Sequence, residues 1–196
     1  MNEKSNPCTD NLTDEEYLIH MIPHHQVAID MSKELQKKTK KPNMIYLTRE
    51  IIRKQGYEIW EMEMMKKNIQ FNYIPLNSNI NVNKNDYCIF ESKSEICSKK
   101  NINENCNPLF FNPEEHMKHM KNMNINDKSY LTHMIPHHQV AINMSKRLLL
   151  HTTNSYLIYF CKNLIIDQQY EILKMNQLLE SPMIDKDNLF YRSNIL

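Results

Sequence analysis

An internal repeat constrains this chain more than any other feature. Residues 17–33, YLIHMIPHHQVAIDMSK, recur at 130–146 as YLTHMIPHHQVAINMSK, with fifteen of seventeen positions identical at an offset of 113. The offset carries on unbroken into a second segment. There Gln55, Tyr57, Glu58, Ile59 and Met62 match Gln168, Tyr170, Glu171, Ile172 and Met175. An unbroken offset means that the connector between the two segments has one length in both copies. The duplicated object is therefore a folding unit rather than a short motif.

Each unit reads as helix, turn, helix. Thr13 and Glu16 have capping-box spacing, and Asp14 and Glu15 suit the positive end of a helix dipole; Asn126-Asp127 opens the second copy in the same way. The first helix is expected to run to about Lys38, where Thr39, Pro42 and Asn43 interrupt it. Leu47, Ile51, Ile52, Gln55, Ile59, Met62 and Ile69 then recur at helical spacing. Neither hairpin can bury its apolar face alone, so the two together predict an all-α fold, a four-helix bundle of duplicated hairpins. The units are placed at residues 13–66 and 126–180, forming one bundle. Residues 67–125 form a long Asn-rich connection that ends in a short helix near 113–123, with Asn112 as its cap and Pro113 in its first turn. The tail beyond Ser181 is read as peripheral.

Composition removes several functions. With 24 basic and 23 acidic residues the chain lacks the concentrated positive field that nucleic-acid binding needs. No run of about 18 apolar residues exists to span a membrane. The first residues, MNEKSNPCTDN, lack the apolar core of a secretory signal, so a cytoplasmic setting is the default unless a leader is missing. The five cysteines follow no zinc spacing, and Cys88, Cys97 and Cys106 cluster in the connection. Fourteen Met against one Gly is the unusual balance.

Helical phasing directs the chemistry inward. On the first helix Gln26, Asp30, Lys33 and Glu34 share the polar side, while Met21, Ala28 and Leu35 form the opposite line. His24 and His25 flank that line, His20 stands one turn before His24, and Met31 lies within about 20° of His24. On the partner helix Gln55 and Met62 occupy the middle of the apolar face, with Glu58 at its edge. A single His or Met in such a place is ordinarily a core residue. Six His in two copies of one heptapeptide, with paired Met and paired Gln and Glu, demand buried partners throughout, and metal ligation supplies them. Pro23 and Pro136 each free a carbonyl beside the histidines, which also suits a kink made for packing. A further set, His116, His119, Met120 and Met123, shares one face of the short helix; it fits either ligation or simple docking on the bundle.

Thioether sulfur favours Cu(I) over harder ions, with Ag(I) binding by mimicry. Zinc and iron fit less well: zinc structural sites use Cys and His at short spacing, and a di-iron bundle needs about four carboxylates where each hairpin offers one. The two motifs, HMIPHHQVAIDM and then IIRKQGYEIWEM, resemble the family known as domain of unknown function 305, over roughly residues 13–66 and 126–180. That resemblance implies a ferritin-like bundle and His and Met ligands for copper, in proteins often periplasmic or extracellular. Position by position it points to His20, Met21, His24, His25, Met31 and Met62, and to His133, Met134, His137, His138, Met144 and Met175. Val27 and Val140 stand where the family commonly has Gly. Gln55, Glu58, Gln168 and Glu171 are expected to orient the rings. The resulting expectation is a non-enzymatic copper-sequestering or copper-tolerance protein whose partners are metal ions. A redox enzyme on the same bundle, or a metal-free interaction module, are the alternatives. Stoichiometry and oligomeric state are left open.

Overall fold

The computed structural model of the protein describes residues 12–69, 113–122 and 124–181, which form five helices and no strand. They are α1 (Asp14–Gln36), α2 (Pro42–Ile69), α3 (Pro113–Asn122), α4 (Asp127–Leu149) and α5 (Ser155–Glu180). Shifting α1 by the repeat offset of 113 reproduces the bounds of α4. Helices α1, α2, α4 and α5 make the expected four-helix bundle, and α3 lies across α1.

Local signals fix the helix ends. Thr13 Oγ1 accepts from the Glu16 amide at 3.2 Å, and Glu16 Oε2 accepts from the Thr13 amide at 2.9 Å. The second copy builds the same box from different residues: Asn126 Oδ1 accepts from the Ser129 amide, and Ser129 Oγ from the Asn126 amide, both at 2.9 Å. Each such cap is worth about 0.5–2 kcal/mol. Helix α1 stops at Gln36, two residues before the expected Lys38, because the amides of Lys38 and Thr39 both turn back to the Leu35 carbonyl. Pro42 then opens α2, where its missing N–H costs nothing.

The hairpins meet through α1 and α4. His24, Ala28 and Ser32 recur every four residues on α1, opposite His137, Ala141 and Ser145 on α4, and all six are fully buried. The small residues let the two helices approach closely. Tyr17 shares a 2.7 Å hydrogen bond with Ser145, and Ser32 shares one of 2.7 Å with Tyr130. These reciprocal latches show that α1 and α4 run antiparallel about a pseudo-two-fold axis. Burial pushes both phenols up from the usual tyrosine range, so both remain neutral hydroxyls. Behind α1 and α4 the apolar faces of α2 and α5 complete one continuous core. Between α2 and α5, Lys54 lies 3.2 Å from Asp167 and Lys174 lies 2.9 Å from Glu50.

Asn112, Met123 and the cysteines at 8, 88, 97 and 106 lie outside the described residues, as does the side chain of Met120. Cys161 is a free, buried thiol that replaces Thr48 of the first copy, and burial pushes it up to about 12.

Candidate metal centre

The pseudo-two-fold axis passes between two equivalent imidazoles. His24 and His137 stack with ring centroids 3.7 Å apart and planes inclined by 26°. Burial, followed by the neighbouring imidazoles, holds both well below the usual histidine range. They are therefore neutral near pH 7, which is the form that binds metals.

On either side of this stack stands a histidine held by a carboxylate. His25 Nε2 donates to Glu58 Oε2 at 2.9 Å, and His138 Nε2 donates to Glu171 Oε2 at 2.8 Å. A neutral imidazole that donates through Nε2 carries its lone pair on Nδ1. Both Nδ1 atoms are buried and find no hydrogen-bond partner among the described residues. An unmatched buried acceptor costs about 1–3 kcal/mol in an apolar core. A carboxylate behind an imidazole also raises the basicity of the opposite nitrogen, as it does in metal sites.

Six thioethers share the buried interior with these rings. Met21, Met31, Met62, Met134, Met144 and Met175 are all fully buried in the same core. Neutral imidazole and neutral thioether together make a donor set that fits a soft monovalent ion. The amides of Gln55 and Gln168 are buried in the core, with neither oxygen nor nitrogen hydrogen-bonded among the described residues. They were expected to orient the rings, but only the glutamates do so.

The second hairpin carries an addition. From α3, His116 Nε2 lies 2.6 Å from His133 Nε2, and the His119 ring is centred 6.3 Å from that of His133. His116 also stands 6.3 Å from His137, so α3 continues the line of imidazoles outward from the axis. Burial, then neighbouring imidazoles, lowers both His116 and His133 to about 4. His20, the first-copy equivalent of His133, is half-buried one turn before His24; burial lowers it, while nearby Glu16 opposes the shift. Among the described residues no three His, Cys, Asp or Glu side chains converge in a cage. The rings form a ladder, which serves an ion content with two or three soft donors better than one needing four or more.

Sequence reasoning placed the individual residues on inward faces but missed two contacts. It did not foresee that His24 meets its own repeat equivalent, although duplication about an antiparallel dyad puts equivalent residues face to face. The pairing of His116 with His133 had no signal, since nothing in the sequence orients α3 on the bundle.

Comparison with known proteins extends the resemblance. The family described as Domain of unknown function (DUF305) matches residues 4–66 and 98–179, so the second match begins well before α4 and takes in α3. Among solved structures, CopM in the Cu(II)-bound form is 25% identical with a TM-score of 0.57, covering 85% of this chain and 95% of that one. CopM in the Cu(I)-bound form is 25% identical at a TM-score of 0.55, covering 85% and 94%. CopM in the Ag-bound form obtained by soaking is 26% identical at 0.54, covering 85% and 93%. A curated relative, the uncharacterized protein L153 of Acanthamoeba polyphaga mimivirus, is 45% identical over 56 residues. That match covers 29% of this chain and 37% of the relative's length. With both hairpins matched and the bundle shared, this chain belongs to the Domain of unknown function (DUF305) family, carrying its helical hairpin twice.

Proposed function

We propose that this protein sequesters Cu(I), and by mimicry Ag(I), inside the bundle, as a copper-storage or copper-tolerance factor without catalytic turnover. One observation carries the reading: the two equivalent His–Glu pairs, His25–Glu58 and His138–Glu171, each leave a bare Nδ1 buried in a thioether-rich core. His24 and His137 stand between them as further neutral donors. Met21, Met31, Met62 and their counterparts Met134, Met144 and Met175 supply sulfur, and Glu58 and Glu171 hold the rings in register. The Cu(I)-bound and Ag-bound forms of CopM, a structural relative of similar length, agree with such a cargo. Zinc is disfavoured because thioether is not its usual donor.

Anaerobic Cu(I) titration followed by native mass spectrometry tests the reading. The parent should retain copper in defined equivalents, and the variant with His24, His25, His137 and His138 all changed to Ala should lose the core equivalents. Equal copper content in the two proteins would refute the assignment.

A further inference from the structure

The imidazoles do not end at the axis. From the stacked His24 and His137 they continue through His116 to His133 and then to the exposed His119, with successive ring centroids 3.7, 6.3, 4.8 and 6.3 Å apart. The line therefore starts in the buried core and finishes in solvent. The imidazoles are also one-sided, because the repeat offset places Glu3 and Asn6 where His116 and His119 stand.

The contact between His116 and His133 has its own chemistry. Their Nε2 atoms face each other at 2.6 Å, so one carries the proton that the other accepts. If that proton moves to the far Nδ1 of its ring, both Nε2 lone pairs point at one spot and no proton is lost overall. With metal–nitrogen bonds of about 2 Å, the two rings need only part to about 4 Å to hold an ion between them. Two nearly opposed imidazoles satisfy a d10 monovalent ion, which accepts linear coordination, and leave a zinc ion two ligands short.

We propose that His116 and His133 form a two-imidazole docking site for Cu(I) at the mouth of the bundle, with His119 as the first solvent-side contact, and that the ion passes from there to His137. The proposal rests on the core reading above and adds a route and a further equivalent. Helix α3 is thus a loading device and not only a cover.

Loading kinetics test it. Cu(I) is presented on a chromophoric chelator and its transfer to full-length protein is followed by stopped flow, with the final content measured by native mass spectrometry. The H116A/H119A variant should load at least about tenfold more slowly and hold one equivalent fewer, while keeping the core equivalents. The K118A variant, changed on the exposed side of α3, should match the parent. In the quadruple core variant the α3 pair should still hold one equivalent, which H116A then removes. Parent-like rate and content in H116A/H119A would overturn the docking site. A quadruple variant with parental copper content would instead overturn the core reading, so the two failures are told apart. Unchanged far-UV circular dichroism guards against a folding defect, and H116Q, which keeps a polar side chain but loses the ring nitrogen, should load as slowly as H116A.

Discussion

The two hairpins agree in the latches between α1 and α4 and in the His–Glu pairs, and differ at many positions around them. Across the dyad Tyr17 and Ser32 match Tyr130 and Ser145 in identity and in bonding, and His25–Glu58 matches His138–Glu171 to within 0.1 Å. Elsewhere the copies part. Asp30 corresponds to Asn143, Glu34 to Arg147, Thr48 to Cys161 and Lys54 to Asp167. Lys33 is exposed while Lys146 is 2% exposed. The Lys54–Asp167 pair is instructive, because equivalent positions now carry opposite charges that meet at 3.2 Å. Duplication would have set like beside like there, and divergence turned that contact into an ion pair. What has stayed alike is the ring-and-carboxylate interior, although a core made for stability alone would be free to become Leu.

The largest effects should come from equivalent core residues and should be equal. Leu18→Ala and Leu131→Ala remove fully buried side chains at matched sites, so each should cost about 2–5 kcal/mol in urea unfolding. A gap of more than about 1.5 kcal/mol between them would break the claim of equivalent packing.

Next come the glutamates, where the copies should diverge. Glu171 is 3% exposed and lies 3.8 Å from Lys54, whereas Glu58 is 13% exposed. Glu171→Ala should cost about 1.5–3 kcal/mol, and Glu58→Ala less. Equal losses would show that the outer environment does not reach the ring pair.

The tyrosine latches come third. Tyr17→Phe and Tyr130→Phe each delete one buried hydrogen bond and should cost about 1 kcal/mol by chemical unfolding. Tyr17→Phe also removes a hydrogen bond that lowers the Cys161 thiol, so a slower reaction of that thiol with a disulfide reagent is expected in this variant alone.

Acid provides a graded test of the histidines together. His24, His137, His116 and His133 all have folded values below the ordinary 6.5, so the unfolded chain binds more protons as the pH falls. Their neutral burial carries no penalty above about pH 6.5; stability should fall between 6.5 and 4 and continue falling at lower pH for the two core rings. The urea midpoint of the metal-free protein at pH 7, 5.5 and 4.5 reads this directly. A flat profile would mean that these rings are not buried neutral.

The repeat made much of this visible from sequence. A constant offset foretold two hairpins, and 3.6-residue phasing put His24, His25, Met31 and Met62 inside, where the structure has them. The capping boxes were legible too, because they are local. Long-range pairing was not. Which face of α1 meets α4 depends on Ala28, Ala141 and the two serines permitting close approach, a packing effect that no periodicity encodes. The bond of His25 to Glu58 joins residues 33 apart on two helices, so it follows from how α1 packs on α2. For α3 the sequence showed a shared His and Met face but no partner for it, so its contact with His133 had to come from three dimensions.

The central claim is that the repeated ring-and-thioether interior holds Cu(I). Copper-edge X-ray absorption on the anaerobically loaded, desalted protein tests it most directly. The account predicts retained Cu(I) with both imidazole nitrogen and sulfur in a low-coordinate shell, and loss of the core contribution in the quadruple His→Ala variant. Copper that washes away on desalting, or a shell containing neither imidazole nor sulfur, would contradict it.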